Sequence, residues 1–278
     1  MSETVRLRAS DGHELNAYVS RPTGAPVAGL VVLQEAFGVN RHIRSVADGY
    51  AGDGFLAVAP ALFDRIERGV ELGYESMGLQ KGIAMARQSN LADAVTDVAA
   101  ALEYLRKYTG KKCGVIGYCF GGTVAWLAAT RLEPGASVGY YGGRIAQFAQ
   151  ENPRCPVMLH FGTLDAHIPK EDVERVHAAH PDVQIFWYEA DHGFNCNDRA
   201  SYNAAAAKQA RGRSLEFLKK HPGPYSAMTA QPGPTSPVSF ESAAVPASTP
   251  RSRRSRYAGL FRARQRAARR SAWRGRRA

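Results

Sequence analysis

An alternation along the chain is the strongest constraint on its fold. Short apolar runs rich in β-branched residues alternate with longer segments of helical periodicity. This alternation is typical of βαβ units that form a mostly parallel sheet. Six runs are too apolar for a strand exposed on one face, so we expect each to be covered on both faces. They are AGLVVLQE (28–35), FLAVAP (55–60), KCGVIGYC (112–119), ASVGYYGG (136–143), PVMLHFG (156–162) and VQIFWYEA (183–190).

Two more polar segments, 5–8 and 14–20, flank the dipeptide Asp11-Gly12. Because this dipeptide favours a hairpin turn, the pattern predicts an antiparallel edge to the sheet. Between the apolar runs, the periodicity predicts helices at 41–53, 90–108, 122–131, 170–180 and 201–220. The whole pattern predicts a doubly wound α/β fold with helices on both faces of a mostly parallel sheet.

The periodic pattern stops after His221. Pro, Ser, Thr, Ala and Gly dominate as far as residue 250, so we predict one folded domain at 1–220 and a disordered tail at 221–278. The net charge of +11 comes from the tail, because residues 251–278 hold twelve arginines and no acid. Such a segment is able to bind polyanions in a salt-dependent way. The alternative, which we favour, is a dispensable extension.

Location and redox state follow from what the sequence lacks. The first residues do not have the apolar core of a signal peptide, and no run of about 18 apolar residues could span a membrane. Four cysteines are too scattered to form a disulfide framework in a chain of 278 residues. We therefore expect a cytoplasmic protein with reduced thiols.

The hexapeptide GYCFGG at 117–122 is the most informative motif. It follows a predicted strand and precedes a predicted helix, which is the context of a nucleophile elbow centred on Cys119. Gly117 and Gly121 supply the small residues that the tight turn needs, and the positive end of the helix favours a thiolate. The alternative is an inert buried cysteine, the interpretation we prefer for Cys113 and Cys155.

A thiol nucleophile needs a base and a group that orients the base. His192 and Asp165 each follow a predicted strand and are expected at the same edge of the sheet as Cys119. The order nucleophile, acid, histidine is that of α/β-hydrolases. His167 is the alternative base, and Asp191 is the alternative acid.

Five motifs together resemble one family. They are QEAFGVN (34–40), GYCFGG (117–122), GYYG (139–142), GTLDAHIP (162–169) and the stretch from Trp187-Tyr188 to His192-Gly193-Phe194. Over about the first 220 residues the chain resembles the dienelactone hydrolases, also called carboxymethylenebutenolidases. The resemblance implies an α/β-hydrolase fold with Cys119 as nucleophile, His192 as base and Asp165 as orienting acid.

The resemblance also implies a role for Glu35 as a carboxylate near the thiol, which it holds at rest and releases to His192 when substrate binds. The backbone N–H groups of Ala36 and Phe120 would stabilise the oxyanion. Lactones or activated esters would then be opened through a thioester without metal or organic cofactor. A zinc site from His192, Cys196 and Cys119 is the alternative, but its spacing matches no paired-ligand signature.

The substrate pocket departs from the family pattern. Relatives that open dienelactone hold its carboxylate with two arginines, whereas GLQKGI at 78–83 has none and Arg199 lies several positions late. Candidate substrate contacts are Lys81, Tyr118, Phe194 and Arg199, although both cations are also interpreted as surface charges. This departure argues against dienelactone as the physiological substrate.

Three functions therefore stay open at this stage. The first is a lactone or ester hydrolase, expected as a monomer or weak dimer with a small-molecule substrate and no membrane partner. The second is a general carboxylesterase or thioesterase. The third is a catalytically silent scaffold whose tail binds polyanions. The intact set of Cys119, Asp165 and His192 argues against the scaffold.

Overall fold

An eight-stranded sheet forms the centre of the protein. The computed structural model describes residues 1–111 and 113–221. Its strands are β1 (Ser2–Arg8), β2 (Glu14–Ser20), β3 (Ala28–Leu33), β4 (Phe55–Pro60), β5 (Gly114–Tyr118), β6 (Ser137–Tyr140), β7 (Val157–Gly162) and β8 (Gln184–Tyr188). Every residue of β3, β4 and β7 is buried, so both faces of the sheet are covered there.

The strand order is β1-β2-β4-β3-β5-β6-β7-β8. β1 and β2 form the predicted antiparallel hairpin, and β2 is also antiparallel to β4. All other neighbours are parallel, which confirms the predicted α/β fold. Because the strand order reverses between β3 and β5, their carboxyl ends border the crevice where such sheets bind ligands.

Six α-helices accompany the sheet in the described ranges. They are α1 (Arg41–Gly52), α2 (Ser76–Gln88), α3 (Leu91–Thr109), α4 (Phe120–Arg131), α5 (Lys170–Ala179) and α6 (Ala204–Lys220), with a 3₁₀ turn at Ile145–Phe148. Five of them coincide with predicted helices to within three residues. The exception is α2.

The α2 helix could not be predicted from apolar periodicity, because two of its three buried residues are glycines; the three are Gly78, Gly82 and Met85. Glycine also lowers helix propensity. Tertiary packing accounts for Gly82, since a Cβ there would lie 2.1 Å from the carbonyl oxygen of Ala36. The helix therefore packs its backbone directly against the loop that follows β3.

The α6 helix ends at Lys220, and the domain boundary expected at this position stays a prediction. The predicted disorder and polyanion binding of the tail fall on residues 222–278, which lie outside the described residues. In the part of the chain that is described, no helix combines the length and apolarity needed to cross a membrane.

A buried ion pair ties the loop after β4 to α3. Arg65 donates to both carboxylate oxygens of Asp97, at 2.9 and 2.7 Å. The Asp97 side chain is fully buried, and Arg65 also contacts Asp11 in the hairpin turn. Burial raises the pKa of Asp97, although the Arg65 guanidinium opposes this shift. Arg65 therefore links the loop after β4 to both α3 and the hairpin turn.

We expect Arg65→Met to lower the free energy of unfolding by about 3–5 kcal/mol at pH 7, because it leaves a buried carboxylate unpaired. The exposed pair of Arg6 and Glu14 gives a matched control, and Arg6→Met should cost less than about 1 kcal/mol. An unpaired Asp97 has a folded pKa above its unfolded value, so the loss should shrink as the pH falls towards 4. Urea unfolding at pH 7 and at pH 4 measures these losses of stability. Equal losses for Arg65→Met and Arg6→Met at pH 7 would contradict this account.

Candidate active site

Cys119 occupies the sharp turn between β5 and α4. Its φ of 53° and ψ of −112° lie in a region that residues with side chains rarely adopt. A Cβ on Gly117 would be 1.9 Å from the carbonyl oxygen of Gly121, and one on Gly121 would be 2.5 Å from that of Gln34. Backbone contacts therefore require both glycines, and the turn has the geometry of a nucleophile elbow.

Three hydrogen bonds hold this strained turn. The N–H of Cys119 donates to the carbonyl of Tyr140, its carbonyl accepts from the N–H of Gly122, and the N–H of Gly121 donates to the carbonyl of Gln34, each at 3.0 Å. The ends of β3 and β6 thus fix the thiol at the first turn of α4. Unpaired amides at a helix start favour a negative charge.

The imidazole of His192 connects the thiol to a carboxylate. Its Nε2 lies 3.2 Å from Sγ of Cys119, and its Nδ1 lies 2.7 Å from Oδ2 of Asp165. Asp165 is in the loop after β7, and its other oxygen accepts from the N–H of His167 at 2.9 Å. The carbonyl of His192 accepts from the hydroxyl of Ser201 at 2.7 Å. This arrangement is able to remove a proton from the thiol.

The pKa values of His192 and Asp165 are shifted by their contacts with each other, and that of His192 also by Cys119. Burial lowers the pKa of His192, but the charge of Cys119 and the hydrogen bond to Asp165 outweigh it and raise that pKa to about 10. Burial raises the pKa of Asp165, but the hydrogen bond and charge of His192 lower it overall. The contacts with Cys119 and Asp165 therefore favour the charged imidazolium form of His192.

The competing residues have other contacts. Asp191 is exposed and accepts from the N–H of His192 at 2.6 Å, so it contacts the backbone and not the ring. The ring of His167 packs edge-on against that of His192, with centroids 5.7 Å apart. His160 is buried between Tyr188 and Ser214, and burial lowers its pKa to about 3. None of these imidazoles contacts the thiol within the described residues.

Two backbone donors next to Glu35 and Cys119 have no acceptor in the described part of the chain. The N–H of Ala36 and that of Phe120 make no hydrogen bond to any described residue, although both residues are buried. Phe120 follows Cys119, and Ala36 follows Glu35 in the loop after β3. Buried N–H groups are rarely left without a partner, so these two are able to stabilise an oxyanion.

Glu35 is fully buried, and its contacts differ from those that the resemblance implies. One oxygen lies 3.4 Å from Nη1 of Arg199, and the other accepts from the Tyr74 hydroxyl at 3.3 Å. Burial and the charge of Glu35 raise the pKa of Tyr74, which keeps its hydroxyl a donor. Glu35 thus contacts Arg199 and Tyr74, whereas the Cys119 thiol contacts His192.

Arg199 reaches the site because the preceding loop folds back. Gly193 has a φ of +79°, and a Cβ there would lie 2.3 Å from Nη1 of Arg199. The guanidinium also lies over the Phe37 ring, 5.8 Å from its centroid. Only 18% of the Arg199 side chain is exposed, so it is not the solvated surface charge that its position in the sequence allows.

A cavity of about 1000 Å³ opens beside these groups. Among the predicted site residues, His192 and Arg199 line it. The other lining residues are Phe37, Asn40, Arg41, Glu71, Leu72, Gly73, Tyr74, Glu75, Leu79, His167, Asp191, Asp198, Ala200 and Ser201. The loops after β3 and β8 and the segment leading into α2 thus form its walls.

Three of the four predicted substrate contacts are placed elsewhere. Tyr118 and Phe194 are buried away from this cavity, at 2% and 0% exposure. Lys81 lies on α2, where its ammonium pairs with Glu67 at 2.8 Å. Tyr74, which the sequence analysis misses, lines the cavity instead. No local pattern marks Tyr74, because the helix that follows it is also unpredicted.

The zinc alternative of the sequence analysis is not favoured by these contacts, because both nitrogens of His192 already face Asp165 and Cys119. Glu35, His42 and Cys196 form a different group in the described residues. Their potential ligand atoms all lie within 4.8 Å of one another.

Comparison with known proteins gives a consistent result. The model of the family described as "Dienelactone hydrolase family" matches residues 15–222. The carboxymethylenebutenolidase of Pseudomonas putida is 31% identical over 227 residues, 78% of this chain and 96% of that protein. A protein of Synechocystis sp. is 35% identical over 218 residues, 71% of this chain and 88% of that protein. A Klebsiella pneumoniae crystal structure that is 28% identical superposes with a TM-score of 0.68, covering 78% of this chain and 98% of the other.

We expect Cys119→Ser to lower the pKa of His192, because the contact with Cys119 is one of the causes that raise it. Asp165→Asn should shift it in the same direction. Cys155→Ser is a matched control, since Cys155 precedes β7 at the opposite edge of the sheet. Nitrogen-15 NMR titration of histidine-labelled protein measures the pKa. An unchanged His192 titration in Cys119→Ser would contradict the coupling.

Proposed function

Since the chain belongs to the dienelactone hydrolase family, whose members hydrolyse esters and lactones, we propose that it opens lactones or activated carboxylic esters with Cys119 as nucleophile. The observation that carries the proposal is the continuous row of thiol, imidazole and carboxylate, joined at 3.2 and 2.7 Å. In this proposal His192 is the base, and Asp165 orients it.

The proposed reaction has two stages. The Cys119 thiolate bonds to the carbonyl carbon, and the ester C–O bond breaks as the leaving oxygen takes a proton from His192. Water then attacks the thioester after giving a proton to His192, and the C–S bond breaks to restore the thiolate. The free N–H groups of Ala36 and Phe120 support their proposed role in stabilising the negative oxygen of both tetrahedral intermediates.

Arg199 supports a narrower proposal about the substrate. Its guanidinium lines the cavity with His192, and its carboxylate partner Glu35 is held on the other side by Tyr74. We infer that the preferred substrate carries a carboxylate near the scissile ester, which would take over the pairing with Arg199. Glu35, freed from Arg199, would then be the group that modulates the thiol.

Location and assembly remain proposals. None of the four cysteines, all within the described ranges, forms a disulfide, which suits the reducing cytoplasm that we propose. We also propose a monomer or weak dimer. Polyanion binding by the arginine-rich tail stays a prediction.

We expect Cys119→Ala to reduce kcat/KM by about 10⁴-fold or more, because the covalent route is lost. The test uses an aryl acetate and a five-membered enol lactone with the full chain. Cys155→Ala should stay within about twofold of wild type as the matched thiol control. A wild-type protein that hydrolyses neither substrate would refute the proposal, whereas activity on the aryl ester alone would favour a general carboxylesterase.

The carboxylate preference has its own test. We expect Arg199→Met to lower kcat/KM by about 10- to 100-fold for a lactone bearing a free carboxylate, because the substitution removes one charge-assisted hydrogen bond. The neutral methyl ester of the same lactone should change by less than about threefold. Arg41→Met is the control, because Arg41 lines the same cavity but is 81% exposed and pairs with Asp198. Equal losses on both lactones would reject carboxylate recognition.

A further inference from the structure

Glu35, His42 and Cys196 form a second cluster of titratable groups beside the proposed catalytic row. They come from the loop after β3, from α1 and from the loop before α6, and their ligand atoms lie within 4.8 Å of one another. All three residues are buried, with exposures of 0%, 5% and 0%. Carboxylate, imidazole and thiolate are the three donor types that Zn²⁺ takes in proteins.

His42 adds an independent observation. Its Nε2 is buried and has no hydrogen-bond partner among the described residues. Its Nδ1 lies 3.2 Å from the amide oxygen of Asn197. Because an amide oxygen only accepts, Nδ1 carries the proton and Nε2 presents a lone pair. A partner that fixes the tautomer in this way is typical of histidines that ligate metals.

We propose that Glu35, His42 and Cys196 bind a divalent ion of the zinc type, and that this ion inhibits hydrolysis by taking Glu35 away from Arg199. Three protein ligands leave a coordination position open for water. The inhibitory part rests on the proposed hydrolase function, whereas the binding part does not.

The contacts of Glu35 explain why ion and arginine compete. Arg199 lies 3.4 Å from one carboxylate oxygen, and Tyr74 donates to the other. A dication on this carboxylate would repel the guanidinium, so Glu35 holds one of the two cations at a time. His42 also lines a separate cavity of about 390 Å³ together with Asn195 and Asn197.

Binding must also displace a proton. A cysteine ligates a metal ion as its thiolate, so coordination by Cys196 would release the proton of its thiol.

Co²⁺ is the probe for the site, because thiolate ligation gives a charge-transfer absorption in the near ultraviolet. We expect the full chain to show this band and Zn²⁺ to abolish it by competition. Cys196→Ser should remove the band, His42→Phe should weaken Co²⁺ binding at least about 30-fold, and Cys119→Ser should keep it. A band lost in Cys119→Ser but kept in Cys196→Ser would overturn the site, because the ion would then sit on the catalytic thiol.

Zn²⁺ inhibition of aryl acetate hydrolysis tests the second half. We expect wild type to be inhibited and His42→Phe to hydrolyse the ester normally but resist Zn²⁺. Arg199→Met should bind Co²⁺ about 3- to 10-fold more tightly, since the competing cation is gone. Zn²⁺ binding without inhibition would overturn the regulatory role. An inactive wild type that still shows the cobalt band would contradict the proposed function and support the ion site.

Discussion

The left-handed backbone at Cys119 is the constraint on which the rest of the site depends. Two carbonyl groups impose it, those of Gln34 and Tyr140. The carbonyl of Gln34 accepts a hydrogen bond from the N–H of Gly121, and that of Tyr140 accepts one from the N–H of Cys119. A Cβ on Gly121 would lie 2.5 Å from the oxygen of Gln34, and a Cβ on Gly122 would lie 2.5 Å from that of Tyr140. The strain of such a residue is of order 1–3 kcal/mol and persists only where its surroundings determine it. Here the surroundings are the ends of two strands and a helix, α4, of which nearly every residue is buried.

The features that could be predicted from sequence are those with a local cause. Apolar runs locate the strands, because both faces of the sheet are covered. The glycines at 117 and 121 mark the elbow because backbone contacts exclude any other residue there. His192 and Asp165 were identifiable because parallel strands bring their following loops to one edge. In each case a short stretch of chain contains its own physical reason.

The features that sequence reasoning missed depend on distant contacts. Gly82 weakens α2 as a helix, yet it is what lets α2 approach Ala36. Tyr74 enters the site only because that helix packs there. Tyr118 belongs to the matching motif, but alternation along β5 turns its ring away from the cavity into a cluster with Tyr140 and Tyr141. Motif membership therefore identifies a neighbourhood and does not say which side chains face the substrate.

Arg199 lies several positions late in the sequence after His192, which suggests that it is too far away to reach the site. It does reach the site, because the loop reverses direction at Gly193. That reversal places the Arg199 guanidinium beside Glu35. The Glu35 side chain has no exposed surface, so water cannot solvate its carboxylate. A carboxylate in this position requires a charged or hydrogen-bonding partner in every state of the enzyme. Whatever draws Arg199 away, whether a substrate carboxylate or a bound ion, must therefore change the partners of Glu35. Under the two proposals these events would differ in outcome, because a substrate would leave Glu35 able to take the thiol as its new partner, whereas an ion would itself be that partner.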